Sequence, residues 1–60
     1  MTRQVAWSSG GYNYGVAYHK GTVAVIQSKD GRELGRIVLP PDDARYLAQW
    51  IAQVSEEDGA

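Results

Sequence analysis

The chain has no cysteine, no phenylalanine and a single histidine. Without cysteine there is no disulfide and no thiolate metal site. His19 alone cannot build a metal centre without carboxylate help, so neither a metal nor a cofactor is expected. A dominant charge is also missing. Six Lys/Arg stand against seven Asp/Glu, for a net charge of -1. A typical DNA-binding domain carries a clear basic excess instead. No apolar run approaches the roughly 18 residues that cross a bilayer. The N-terminal stretch has one arginine and no long apolar segment, so it does not read as a signal peptide, and the expected location is cytoplasmic.

Sixty residues make one small domain. A chain this short buries only about 60% of its unfolded surface. Small folds compensate with disulfides, a metal or self-association, and here self-association is the candidate that remains.

Glycine-bearing turns divide the first forty residues. "SSGG", "HKGT" and "KDGR" recur at even spacing, and Asp30-Gly31 is the strongest hairpin signal because Asp-Gly suits a type I′ turn. Between them lie "RQVAW", "NYGVAYH", "TVAVIQS" and "ELGRIVL", rich in β-branched and aromatic residues as strands are. Pro40-Pro41 ends this pattern. Proline lacks a ladder N–H but fits a first helical turn, and Asp42 and Asp43 suit the positive end of a helix dipole. The expected fold is α+β: a four-stranded antiparallel meander over about residues 3–39 and one helix over about 41–54, packed on one sheet face. An acidic, frayed tail is expected over 55–60.

Two-residue loops fix a register, and register fixes faces. With loops at Gly10-Gly11, Lys20-Gly21 and Asp30-Gly31, Trp7 faces Tyr14, Val5 faces Val16, and Tyr18 faces Val23. Val16 meets Val25, Val25 meets Arg36, and Val23 meets Val38. These residues share one face with Arg3, Lys29, Arg32 and Leu34. The other face collects Ala6, Gly15, Ala17, Ala24, Ile26, Gly35, Ile37 and Leu39. Its small middle invites the helix, which would point Ala44, Leu47, Ala48 and Ile51 inward. Tyr46, Trp50 and Val54 widen the helix's apolar sector to roughly 240°, beyond a single core stripe. Such a surplus marks an interface, and these three residues are the expected contacts of a homodimer.

Catalysis finds little support. His19 has no nominated serine or cysteine partner and reads as a solvent-facing strand end. Asp42 and Asp43 are adjacent, so they do not face each other, and their place suits the helix start. "GGYNYG" lacks both dinucleotide and Walker spacing. The chain is expected to be non-enzymatic.

The aromatic and basic sheet face carries the chemical content. Trp7, Tyr14 and Tyr18 could stack on bases, while Arg3, Lys20, Lys29, Arg32 and Arg36 could meet phosphates. Tyr, Trp and Arg are equally the residues of protein interface hot spots. Two readings follow. The leading one is a non-enzymatic regulator that binds nucleic acid and prefers single strands. The other is a protein-interaction module, such as a phage or bacterial modulator docking on a host protein, which the near-zero net charge favours.

"HKGTVAVIQSKDGRELGRIVLPPDDARYLAQWI" resembles the single-strand-binding transcriptional coactivator family, whose eukaryotic member is positive cofactor 4. The shared pattern is a basic hairpin, an alternating strand, a turn, and Ile37, Leu39, Pro41 and Asp42 leading into a helix with Leu47 and Ile51. The resemblance covers about half the chain. It implies a dimer joined through C-terminal helices, with Tyr46 and Trp50 as contacts. It also implies single-stranded DNA held on the sheet, with Lys20, Arg32 and Arg36 meeting the backbone.

Overall fold

The computed structural model describes residues 2–59. Four strands, β1 (Thr2–Ser9), β2 (Tyr12–His19), β3 (Thr22–Lys29) and β4 (Arg32–Leu39), precede one helix, α1 (Pro41–Gly59). The strands form one antiparallel sheet in chain order. The α+β meander read from the sequence is therefore the fold.

Both central residues of each turn take positive φ: Gly10 and Gly11, Lys20 and Gly21, Asp30 and Gly31. That pairing is the type I′ geometry, whose twist matches the flanking strands. It sets the first two registers as expected, with Trp7 opposite Tyr14, Val5 opposite Val16, Val16 opposite Val25 and Tyr18 opposite Val23.

The third hairpin differs. Lys29 pairs with Arg32 and Ser28 with Glu33, but Gln27 pairs with Gly35, so Leu34 is an extra residue in β4. This is a β-bulge, placed beside a strand glycine. Everything beyond it changes face. Val25 meets Ile37 rather than Arg36, and Val23 meets Leu39 rather than Val38. Arg36 now lies opposite Ile26 on the small-residue face. Ile37 and Leu39 join Val5, Trp7, Tyr14, Val16, Tyr18, Val23 and Val25 on the aromatic face.

The helix follows the same switch. The sequence placed it over the small residues, but it enters on the aromatic side. Pro41, Ala44, Arg45 and Ala48 border a groove with Tyr18, Gly21 and Val23. Leu39, the last strand residue, points to that face because of the bulge, and it delivers the chain there. The Ala44 N–H donates to the Pro40 carbonyl at 2.9 Å to open the helix, while Asp42 and Asp43 occupy its first turn. The helix touches β3 and β4. It continues past Val54 to Gly59, five residues beyond the expected end. Ser55, Glu56, Glu57 and Asp58 contain no breaker, so the fray expected there gives way to helix up to Gly59. Ala60 lies outside the described residues.

None of the described residues is buried. Val16, Val25, Ala44, Leu39 and Val54 are half-buried. The radius of gyration is 13.1 Å, against about 10 Å for a compact chain of this length.

Candidate binding face

The aromatic face is built from alternate positions of all four strands. Strand alternation puts residues two apart on one side, and the register stacks them across the sheet. Trp7 and Tyr14 are stacked, with ring centroids 5.5 Å apart and planes 22° from parallel. Gln27 Nε2 donates to the Tyr14 hydroxyl at 3.2 Å, which satisfies the polar tip of a part-buried ring. Tyr18 lies beside the helix groove and opposite Arg3. Trp7 remains 48% exposed and Ile37 48% exposed, so the face is open beyond the helix.

Its cations sit at the ends. Lys29 and Arg32 face each other beside the Asp30-Gly31 turn, and they share a shallow recess with Leu34. Lys29 Nζ lies 5.1 Å from the centre of the Tyr12 ring, within cation–π range. Tyr12 went unnoticed in the sequence, although its two-residue spacing from Tyr14 puts it on the same face. Lys20 occupies the β2–β3 turn with φ of 51°, and Arg3 lies on the edge strand β1. Of the eight residues expected to bind, the fold brings Arg3, Trp7, Tyr14, Tyr18, Lys29 and Arg32 onto one face, leaves Lys20 at its rim, and turns Arg36 to the other.

Arg36 is engaged on that other face. Its Nη2 donates to Glu33 Oε1 at 2.8 Å. Both groups are solvent-exposed. The hydrogen bond from Arg36, with its positive charge, holds the Glu33 carboxyl below the usual carboxylate range. The same bond raises the Arg36 guanidinium above its ordinary value. Most of this face is small or polar, with Ile26 and Val38 as its larger apolar residues. Ser8 Oγ donates to Asn13 Oδ1 at 2.6 Å, and Thr2 Oγ1 and His19 Nδ1 share a hydrogen bond of 2.7 Å. Gln4, Ala6, Gly15, Ala17 and Ile26, with Val5 and Val16 between them in the strands, line a shallow trough that includes no helical residue. His19 is exposed at its strand end, with Thr2 as its partner.

The residues expected at a dimer contact lie on α1 away from the sheet groove. Tyr46 is 72% exposed and Trp50 54% exposed, with Leu47 and Ile51 also open, whereas Val54 is half-buried. Among the described residues, no group of three or more His, Asp or Glu side chains could hold a metal. No helix among them is long and apolar enough to cross a membrane. Set against known proteins, the chain matches no family model, no curated protein and no solved structure.

Proposed function

We propose that this chain is a small, non-enzymatic binding protein whose aromatic sheet face docks on a polypeptide surface, and that it works as a homodimer. One observation carries the reading. The bulge at Leu34 removes Arg36 from the aromatic face and puts Ile37 and Leu39 there, which leaves an apolar, aromatic centre with strand cations toward its ends and Arg45 of α1 bordering the groove beside Tyr18. That is the anatomy of a protein interface: an apolar core with aromatic anchors and a polar rim. The open flank of Tyr46 and Trp50, with half-buried Val54 four residues further along the helix, extends the same apolar character onto α1.

The position of Lys29 over Tyr12 and the stacking of Trp7 on Tyr14 favour a second reading, in which the same face binds single-stranded nucleic acid. The resemblance to the single-strand-binding coactivators supports it as well. Bases would stack on the rings while Arg3, Lys20, Lys29 and Arg32 met phosphates.

Titration of a fluorescently labelled thymidine oligonucleotide, read by anisotropy at low and moderate salt, separates the two. The docking reading expects no saturable binding at micromolar protein. Binding that weakens steeply with salt, and that Tyr14→Ala and Tyr18→Ala abolish in variants that remain folded, would overturn it in favour of nucleic acid.

A further inference from the structure

We infer that the polypeptide seated on the aromatic sheet face is a second copy of this chain, each copy laying its helix flank on the other's sheet. This rests on the docking reading above and names its partner.

The area argues first. The single chain exposes 4968 Å², whereas a compact protein of 6.6 kDa exposes about 3,900 Å² by the usual scaling of surface with mass. The difference, roughly 1,100 Å², exceeds the about 800 Å² that each partner contributes to a standard interface. Of the ten large apolar side chains left exposed, eight lie on the two proposed halves of the contact: Val5, Trp7, Tyr18 and Ile37 on the aromatic face, and Tyr46, Leu47, Trp50 and Ile51 on the helix; the other two are Leu34 at the bulge and Val38 on the small-residue face. A chain with no buried described residue lacks the apolar burial that offsets conformational entropy. A partner present whenever the chain is folded supplies it, and a second copy meets that condition.

The shapes also correspond. The 19-residue helix is about 28 Å long, and an eight-residue strand is about 27 Å, so a helix spans the sheet end to end. The groove at Tyr18 and Val23 is bordered by the first two turns of the chain's own helix, at Pro41, Ala44, Arg45 and Ala48. A two-fold arrangement lets each free helix flank meet the other copy's uncovered strands, as an isologous contact requires. Charge is compatible with this. The helix ends in Glu56, Glu57 and Asp58 with no basic residue in its last turn, and the sheet face carries Arg3, Lys29 and Arg32 at its margins.

The two tryptophans provide the test, one on each proposed half of the contact. Trp50→Phe leaves Trp7 as the only indole, and Trp7→Phe leaves Trp50. Both changes keep an aromatic ring, and sedimentation gives the mass of the unaltered chain and of each variant at the same concentration. The expected result is a dimer in which acrylamide quenches both indoles several-fold less than free tryptophan. A dimer with a shielded Trp50 but a freely quenched Trp7 would overturn the seating on the sheet and confine the contact to the helices. An unaltered chain that sediments as a monomer, with both indoles freely quenched in the variants, would overturn the second copy and leave a foreign polypeptide as the occupant. A monomer whose Trp7 becomes shielded only on adding a thymidine oligonucleotide would overturn the docking reading as well.

Discussion

Glu33 and Arg36 stand three positions apart in β4, yet Arg36 Nη2 reaches Glu33 Oε1 at 2.8 Å. In a regular strand, residues three apart point to opposite faces. The pair meets because Leu34 is the extra residue of a bulge, which restores both side chains to one face. The ion pair thus reports the bulge, and it holds Arg36 away from the aromatic face.

The pair can be read by titration. The Glu33 carboxyl is depressed by the hydrogen bond from Arg36, so it should titrate below an ordinary glutamate in carbon-detected NMR. Arg36→Met should return it toward the ordinary value. A depressed acid adds stability that is fully present above its unfolded value and is lost as pH falls through its folded value. Both partners are exposed, so the acid-side loss should be small. A Glu33 midpoint that ignores Arg36→Met would show that the pair does not form in solution.

A second consequence concerns the β2–β3 turn. Lys20 sits at φ of 51°, a left-handed conformation that asparagine adopts more readily than lysine. Lys20→Asn should raise stability by about 0.5–1 kcal/mol, measured by urea unfolding at fixed chain concentration. A loss of stability would mean that the lysine side chain makes a contact worth more than the backbone strain.

Gly21, the next residue, cannot be changed so freely. Its φ is 87°, and a Cβ there would lie 2.9 Å from the Pro41 Cβ. Gly21→Ala should cost about 1–2 kcal/mol from the left-handed backbone alone, and more from displacing the helix entry. Gly15→Ala is the control, because a Cβ there meets nothing within 4 Å and φ is not positive. It should be neutral or stabilising by about 0.5–1 kcal/mol. Equal effects of the two changes would remove the Gly21–Pro41 contact as the anchor of α1.

The sequence made the strands, the three turns, the proline-led helix start and the first two registers legible, because each follows from local chemistry. Gly-bearing dipeptides select type I′ turns, and Pro41, Asp42 and Asp43 suit a first helical turn. The side on which the helix lies was not legible in the same way. It turns on one unpaired residue, and a bulge shifts register without altering any loop length. The signal present was Gly35, a glycine inside a strand pattern, which is a common companion of bulges. Missing it sent Arg36 to the wrong face, put Ile37 and Leu39 on the other, and carried the helix to the small-residue side. The reach of α1 to Gly59 was lost for a different reason: acidic composition reads as fraying, although glutamate is itself a good helix former.

Ile37 and Val38 give the most direct check of that switch, because adjacent strand residues of similar size must face opposite ways. Ile37 pairs with Val25 on the aromatic face, and Val38 pairs with Ala24 on the small-residue face. Without the bulge the two assignments would be exchanged. Their exposures in the single chain, 48% and 59%, are too close to separate them, so only a covered aromatic face would make their substitutions differ strongly. Ile37→Lys would place a charge in that covered surface, and it should cost about 2 kcal/mol or more by desolvation and lost apolar burial, with dissociation or unfolding at micromolar concentration. Val38→Lys should stay within about 0.5 kcal/mol, as a surface change does. The reverse order in paired thermal and sedimentation measurements would return Arg36 to the aromatic face. Two small, equal effects would mean that neither face is covered in solution.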